Sequence, residues 1–248
     1  MDVEIKRDGL ILRGLLETPG TDKYDIAILM HGFTGDLGYR KTDLLAQVVQ
    51  RLHEDGIATI RFDFNGHGKS DGRFQDMTIL NEISDGNAIL TFTRKLPHIR
   101  NIFLIGHSQG GVVASMLAGN YPEYISKLVL LAPAATLKDD ALKGDLQGVT
   151  YQPNHIPDAL PTQKGQIVGG FYLRTAQTMP IYEVAKQYKG PVCLIHGDAD
   201  NVVDKKASER YQEVYENSEL HIVVGGSHQF KGAARPQALQ LVTDFLKY

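Results

Sequence analysis

A single cysteine, Cys193, occurs in 248 residues, so neither an internal disulfide nor a multi-cysteine metal cluster is available. No charge of either sign dominates. The 26 Lys+Arg stand against 29 Asp+Glu, a formal net charge of −3, and no long basic run occurs. That balance carries no electrostatic footprint for nucleic acid or an anionic membrane surface. No apolar stretch approaches the ~18 residues that read as a membrane span. The opening MDVEIKRDG alternates charged and apolar residues and lacks the apolar core of a secretory signal. A cytoplasmic protein with no membrane partner is the expectation. At about 100–200 residues per domain, the length fits one large domain or two small ones. Such a chain buries roughly 70–75% of its unfolded surface and needs no staple to fold. Hydrophobic residues at 42% and charged residues at 22% are ordinary globular values, silent about activity.

What is present is a regular alternation of short apolar runs with amphipathic stretches. That pattern predicts an α/β architecture, with a mainly parallel central sheet and helices on both faces. The start differs. Val3–Lys6 and Leu10–Leu12 flank Asp8-Gly9, a dipeptide suited to the positive φ angles of a tight turn, and predict an N-terminal antiparallel hairpin. Further strands are expected at Asp25–Met30, Ala58–Phe62, Asn101–Ile105, Lys127–Leu131, Val192–Ile195 and Leu220–Val224. Several are almost continuously apolar, as strands covered on both faces are. Leu44, Leu45, Val48, Val49 and Leu52 recur at helical spacing. Residues 79–95 and 205–216 read similarly, and 236–247 reads as a helix with Pro236 at its start.

The stretch between Leu131 and Pro191 is too long for one loop and one helix, so it should have structure of its own. It carries Pro153, Pro157, Pro161 and Pro180, with Tyr151, Phe171, Tyr172 and Tyr182. Residues 148–152 and 168–174 are expected to form a small hairpin, followed by a helix over 180–188. Together they would make an insert over one edge of the sheet. The core would then comprise 1–133 and 190–248, and the inserted lid subdomain 134–189.

The sharpest local pattern is Gly106-His107-Ser108-Gln109-Gly110, placed after the strand at 101–105 and before a helix through Val112, Val113, Met116 and Leu117. A strand–turn–helix setting is what a nucleophile elbow requires. So sharp a turn forces Ser108 into strained backbone angles, and side chains at 106 or 110 would collide with neighbouring elements. The hydroxyl is thereby lifted clear of the sheet, at the positive end of a helix. A plainer reading is a tight turn with an incidental serine, and the rest of the chain argues against it.

A serine hydroxyl needs a base. Of nine histidines, His228 follows the final strand in the glycine-rich loop Gly225-Gly226-Ser227-His228, whereas His53, His98 and His155 read as surface residues. The orienting carboxylate should come from His196–Val203. Asp200 is preferred, because Asp198 lies nearer the strand end and suits a turn. The order Ser108, Asp200, His228 is that of the α/β-hydrolases. His31-Gly32-Phe33-Thr34-Gly35 follows the run ending at Met30, and the N–H groups of Phe33 and Gln109 are the candidate oxyanion hole. His31 reads as a brace for that loop. Within Arg61–Gly72, Asp63, His67 and Asp71 invite a metal reading and the glycines a phosphate loop, but the G-x-x-x-x-G-K spacing is missing. A structural turn beneath the site is expected there, and Cys193 reads as a small buried hydrophobe. No metal and no cofactor are called for.

Assembled, these pieces resemble an α/β-hydrolase serine esterase over essentially the whole chain, and most resemble the bacterial cinnamoyl (feruloyl) esterases. The carrying stretches are His31–Gly35, Arg61–Gly72, Gly106–Gly111, Leu131–Ala135, Gly169–Arg174 and His196–Asp200. The resemblance implies Ser108 as nucleophile, His228 as base, Asp200 as its partner, and the Phe33 and Gln109 amides as oxyanion donors. It implies a lid that forms an aromatic acyl pocket, with Asp140, Gln147 and Tyr172 holding the phenolic oxygen of the ring. Asp139 doubles the acid, and which of the pair faces the pocket stays open. The implied partner is a small aromatic ester, cleaved through an acyl-enzyme. A monoacylglycerol lipase-like or short-chain esterase uses the same triad. A non-catalytic ligand-binding relative usually lacks a triad member, and none is missing here. No nucleic-acid partner is implied, and a homodimer is left open.

Overall fold

The computed structural model describes residues 1–247. The chain begins with β1 (Asp2–Arg7) and β2 (Leu10–Glu17), antiparallel about Asp8 at φ 48° and Gly9 at φ 83°. Then follow β3 (Tyr24–Met30), α1 (Leu44–Glu54), β4 (Ala58–Phe62), α2 (Ile79–Thr93), β5 (Ile99–His107), α3 (Gln109–Asn120) and β6 (Lys127–Leu131). The long connection holds α4 (Leu137–Lys143), β7 (Asp145–Leu146), β8 (Val149–Thr150), β9 (Ala159–Pro161), β10 (Ile167–Gly169), α5 (Gly170–Thr178) and α6 (Ile181–Ala185). Last come β11 (Val192–Gly197), α7 (Lys206–Val214), β12 (Ser218–Val223) and α8 (Ala234–Lys247).

Eight strands form one sheet in the order β1-β2-β4-β3-β5-β6-β11-β12. Its pairings from β4 to β12 are parallel, and the hairpin joins antiparallel through β2. The near-continuous apolar runs are explained by two cores, one on each face. Ile26, Ile28, Leu104, Leu128 and Leu194 point into the core beneath α2 and α3, while Ala27, Leu29, Ile105, Val129 and Ile195 point into the core beneath α1 and α8. Cys193 belongs to the second core and is fully buried, as its apolar surroundings predicted. Helix α2 opens on a capping box, in which Thr78 Oγ1 accepts from Asn81 N and Asn81 Oδ1 accepts from Thr78 N.

The expected hairpin between 148–152 and 168–174 does not form. Residues 145–150 close a short hairpin on themselves, 159–169 close another, and 170–178 are helical. Strands two or three residues long carry no readable periodicity, and Gly169-Gly170 masks the start of α5. The insert also does not lie at a sheet edge. It leaves β6 and returns to β11, which are interior neighbours. It therefore rises over the carboxyl ends of the strands, and the pocket at Ser108 is lined by α4 and α5 residues. Helix α6 packs against α3 of the core.

The Arg61–Gly72 segment is a structural turn. Asp63 accepts hydrogen bonds from the N–H groups of Leu37 and Lys69 and from the Tyr39 hydroxyl. Asp71 accepts from Ile11 N and Arg13, which fastens the turn to β2.

Candidate active site

Ser108 joins β5 to α3 at φ 57° and ψ −123°, a conformation side chains rarely adopt. Close packing holds it there. A Cβ on Gly106 would lie 2.3 Å from the Gly110 carbonyl oxygen, and one on Gly110 would lie 2.4 Å from the carbonyl oxygens of Met30 and His31. The Ser108 N–H donates to Leu131 O, and its carbonyl accepts from the N–H groups of Gly111 and Ala134, each at 2.9 Å. The bend is thus tied to β6 as well as to its own helix.

His228, in the loop after β12, places Nε2 at 2.9 Å from Ser108 Oγ and Nδ1 at 2.8 Å from Asp200 Oδ2. With Nδ1–H donating to the carboxylate, Nε2 carries a lone pair toward the serine hydroxyl. Asp200 is held from several sides. Val202 and Val203 donate backbone N–H to Oδ1 at 2.8 and 3.0 Å. His196 Nε2 lies 3.3 Å from Oδ2 and donates to Val203 O, while its Nδ1 faces the Ser208 hydroxyl at 2.7 Å. Burial would raise the Asp200 carboxyl, but hydrogen bonds from His196 and His228 outweigh it and hold the group below the usual carboxylate range. Asp198, expected to serve its own turn, instead bonds the neighbouring loop. Its Oδ1 accepts from Gly225 N at 2.6 Å and joins the loops after β11 and β12. His107 Nε2–H donates to the His228 carbonyl at 2.9 Å. Burial, and then electrostatic repulsion from the His228 ring, push His107 down to about 3, so it stays neutral.

The loop after β3 presses against the serine. A Cβ on Gly32 would lie 2.8 Å from Ser108 Cβ, so only glycine allows this approach. His31 braces the loop: Nδ1 donates to Gly32 O at 2.9 Å and Nε2 accepts from Phe64 N at 3.1 Å. Burial pushes that imidazole down to about 4, which suits its neutral role. Among the described residues, no hydrogen bond within the chain takes up the N–H of Phe33 or of Gln109. Two free backbone donors beside an activated hydroxyl can do acyl-transfer chemistry.

A pocket opens at Ser108 and is lined by Phe33, Leu137, Tyr172 and Ala176, with Asp140 and Gln147 among its polar groups. Asp140 rather than Asp139 faces it, for Asp139 turns toward Arg210 at 3.8 Å. Burial raises the Asp140 carboxyl. Tyr172 lines the pocket with its ring, but its hydroxyl already donates to Gln109 Oε1 at 2.6 Å. Phe171 stands 67% exposed outside the pocket. The sequence alone assigns no role to His107, His196 or Glu82. His107 and His196 carry a signal, since both lie inside the recognised loops. Glu82 carries none, because an acid on a helix usually faces water.

A sequence profile described as "Serine aminopeptidase, S33" matches residues 23–164, and one described as "Serine hydrolase (FSH1)" matches residues 99–230. Fold, elbow and profiles define the class, and the chain belongs to the serine hydrolases of the α/β-hydrolase fold. More particularly, it is similar to Est1E from Butyrivibrio proteoclasticus in a structure with bound ferulic acid. Identity is 33%, the TM-score is 0.94, and the match covers 99% of this chain and 98% of that one. A second Est1E structure matches at 30% identity and TM-score 0.90, covering 99% and 97%. A monoacylglycerol lipase of Mycolicibacterium smegmatis is 23% identical over 84% of this chain and 81% of its own.

Proposed function

We propose that this serine esterase hydrolyses hydroxycinnamate esters through an acyl-enzyme, with Ser108, His228 and Asp200 as its triad. Ser108 Oγ attacks the ester carbonyl and passes its proton to His228 Nε2. The resulting oxyanion takes hydrogen bonds from the N–H groups of Phe33 and Gln109, one of which is worth about 3–4 kcal/mol of barrier. As the tetrahedral centre collapses, His228 returns the proton to the departing alcohol. Water then enters, gives a proton to the same imidazole, and releases the acid. Asp200 keeps Nδ1 protonated and steadies the imidazolium.

The observation that carries the substrate reading is one pocket with two characters. Its walls beside Ser108 are aromatic and aliphatic, and Asp140 and Gln147 offer hydrogen bonds within the same cavity. A flat conjugated acyl group with a polar ring substituent suits that lining. The likeness to a structure that holds ferulic acid supports it. A second reading, a glyceride esterase, is favoured by the monoacylglycerol lipase relative.

Turnover of ethyl ferulate, p-nitrophenyl butyrate and a monoacylglycerol distinguishes them. A higher kcat/KM for the ferulate is expected, and preference for either aliphatic ester overturns the substrate claim. An organophosphonate should label wild-type protein once and leave Ser108→Ala unlabelled.

A further inference from the structure

Glu82 sits in the first turn of α2 with 1% of its surface exposed. A carboxyl group so deeply placed requires a partner. Gln109 supplies it, donating Nε2–H to Glu82 Oε2 at 2.7 Å. The other end of the Gln109 amide is taken by the Tyr172 hydroxyl of α5, at 2.6 Å from Oε1. In this arrangement the amide nitrogen faces α2 and its oxygen faces α5. Gln109 therefore has its side chain clamped between α2 and α5, while its peptide N–H adjoins Ser108. Tyr172 also packs its ring 5.5 Å from that of Phe33, which bears the second free N–H. One buried chain touches both.

We propose that Glu82 and Tyr172 are positioning residues for the oxyanion hole, acting through the Gln109 side chain. The proposal rests on the reading of Phe33 and Gln109 N–H as oxyanion donors. Such donors work only when already aimed at the place the oxyanion will occupy. A peptide that drifts loses transition-state stabilisation while substrate binding is spared, so kcat falls and KM does not follow. A purely structural Glu82 would alter stability and leave that split untouched.

The test compares wild type, Glu82→Gln, Glu82→Leu, Tyr172→Phe and the double variant Glu82→Leu/Tyr172→Phe. Each is titrated with an organophosphonate to count reactive serines, and p-nitrophenyl butyrate turnover is expressed per titrated site. Glu82→Leu should lower kcat about 10- to 100-fold with KM within about twofold. Glu82→Gln, whose carbonyl accepts the same N–H, should stay within about threefold of wild type. Tyr172→Phe should cost about tenfold, and the double variant little more than the worse single, because either loss frees the same amide. An unchanged kcat in folded Glu82→Leu, or a Glu82→Gln no better than it, overturns the proposal. Should Glu82→Leu fail to fold, an unchanged kcat in Tyr172→Phe overturns it instead. A wild type that takes no label refutes the serine reading, and this proposal falls with it; failure of the proposal alone leaves labelling intact.

Discussion

At the scale of single residues, surroundings push ionisable groups in opposite directions. Asp200 is held low by its donors, and burial pushes the Glu82 carboxyl up. Replacing Asp200 with Asn offers His228 Nδ1 an amide and favours the wrong tautomer. A fall in kcat on the order of 10³–10⁴ is expected for Asp200→Asn, measured on any accepted ester. Glu82 makes a prediction in pH. Burial raises its carboxyl well above the ordinary 4.5, and the Asp85 charge adds to this, against the hydrogen bond from Gln109. Above pH 4.5 the unfolded chain releases that proton while the native protein keeps it. The unfolded state then binds fewer protons, and stability falls as pH rises toward the folded value. Glu82→Gln removes this cost. Its melting temperature relative to wild type should climb between pH 4 and pH 8, and a flat difference would contradict a raised carboxyl.

At the scale of elements, the site is built where loops meet the carboxyl ends of β3, β5, β11 and β12. Most of that was readable because each loop carries glycine at a crowded point. Gly32 is one instance, with no room for a methyl group beside Ser108 Cβ. Gly32→Ala should push the loop after β3 outward and lower kcat by about 10- to 100-fold, more than any change in thermal unfolding accounts for. Equal losses of activity and stability would place the damage in folding instead. The insert was read less well. Its length and aromatic content announced structure of its own, but hairpins as short as 145–150 and 159–169 have no alternation to detect. Helix α5 begins at Gly170 and turns Phe171 to solvent and Tyr172 inward, a division that the string GGFYLR does not reveal. The Glu82–Gln109–Tyr172 chain was invisible for a related reason. Its members are far apart in sequence and converge only when α2 and α5 meet over α3.

At the scale of the molecule, the sheet separates two cores, and strand residues alternate between them. Leu104 on β5 is fully buried in the larger one. Leu104→Ala should cost about 2–5 kcal/mol in urea unfolding, through lost burial and the cavity left behind. Phe171→Ala, at an exposed position of α5, should stay within about 0.5 kcal/mol. Similar costs for the two would mean that the sheet is not the seat of stability. No helix among the described residues is long and apolar enough to cross a membrane.

The sheet order has a temporal consequence. Ser108 follows a central strand, but the imidazole proposed to serve it follows β12, an edge strand and the last in chain order among the described strands. A chain emerging from the ribosome can shape its bend early and still have nothing to draw off the proton. On the proposed reading, the hydroxyl gains its base only once the border of the sheet is sewn on.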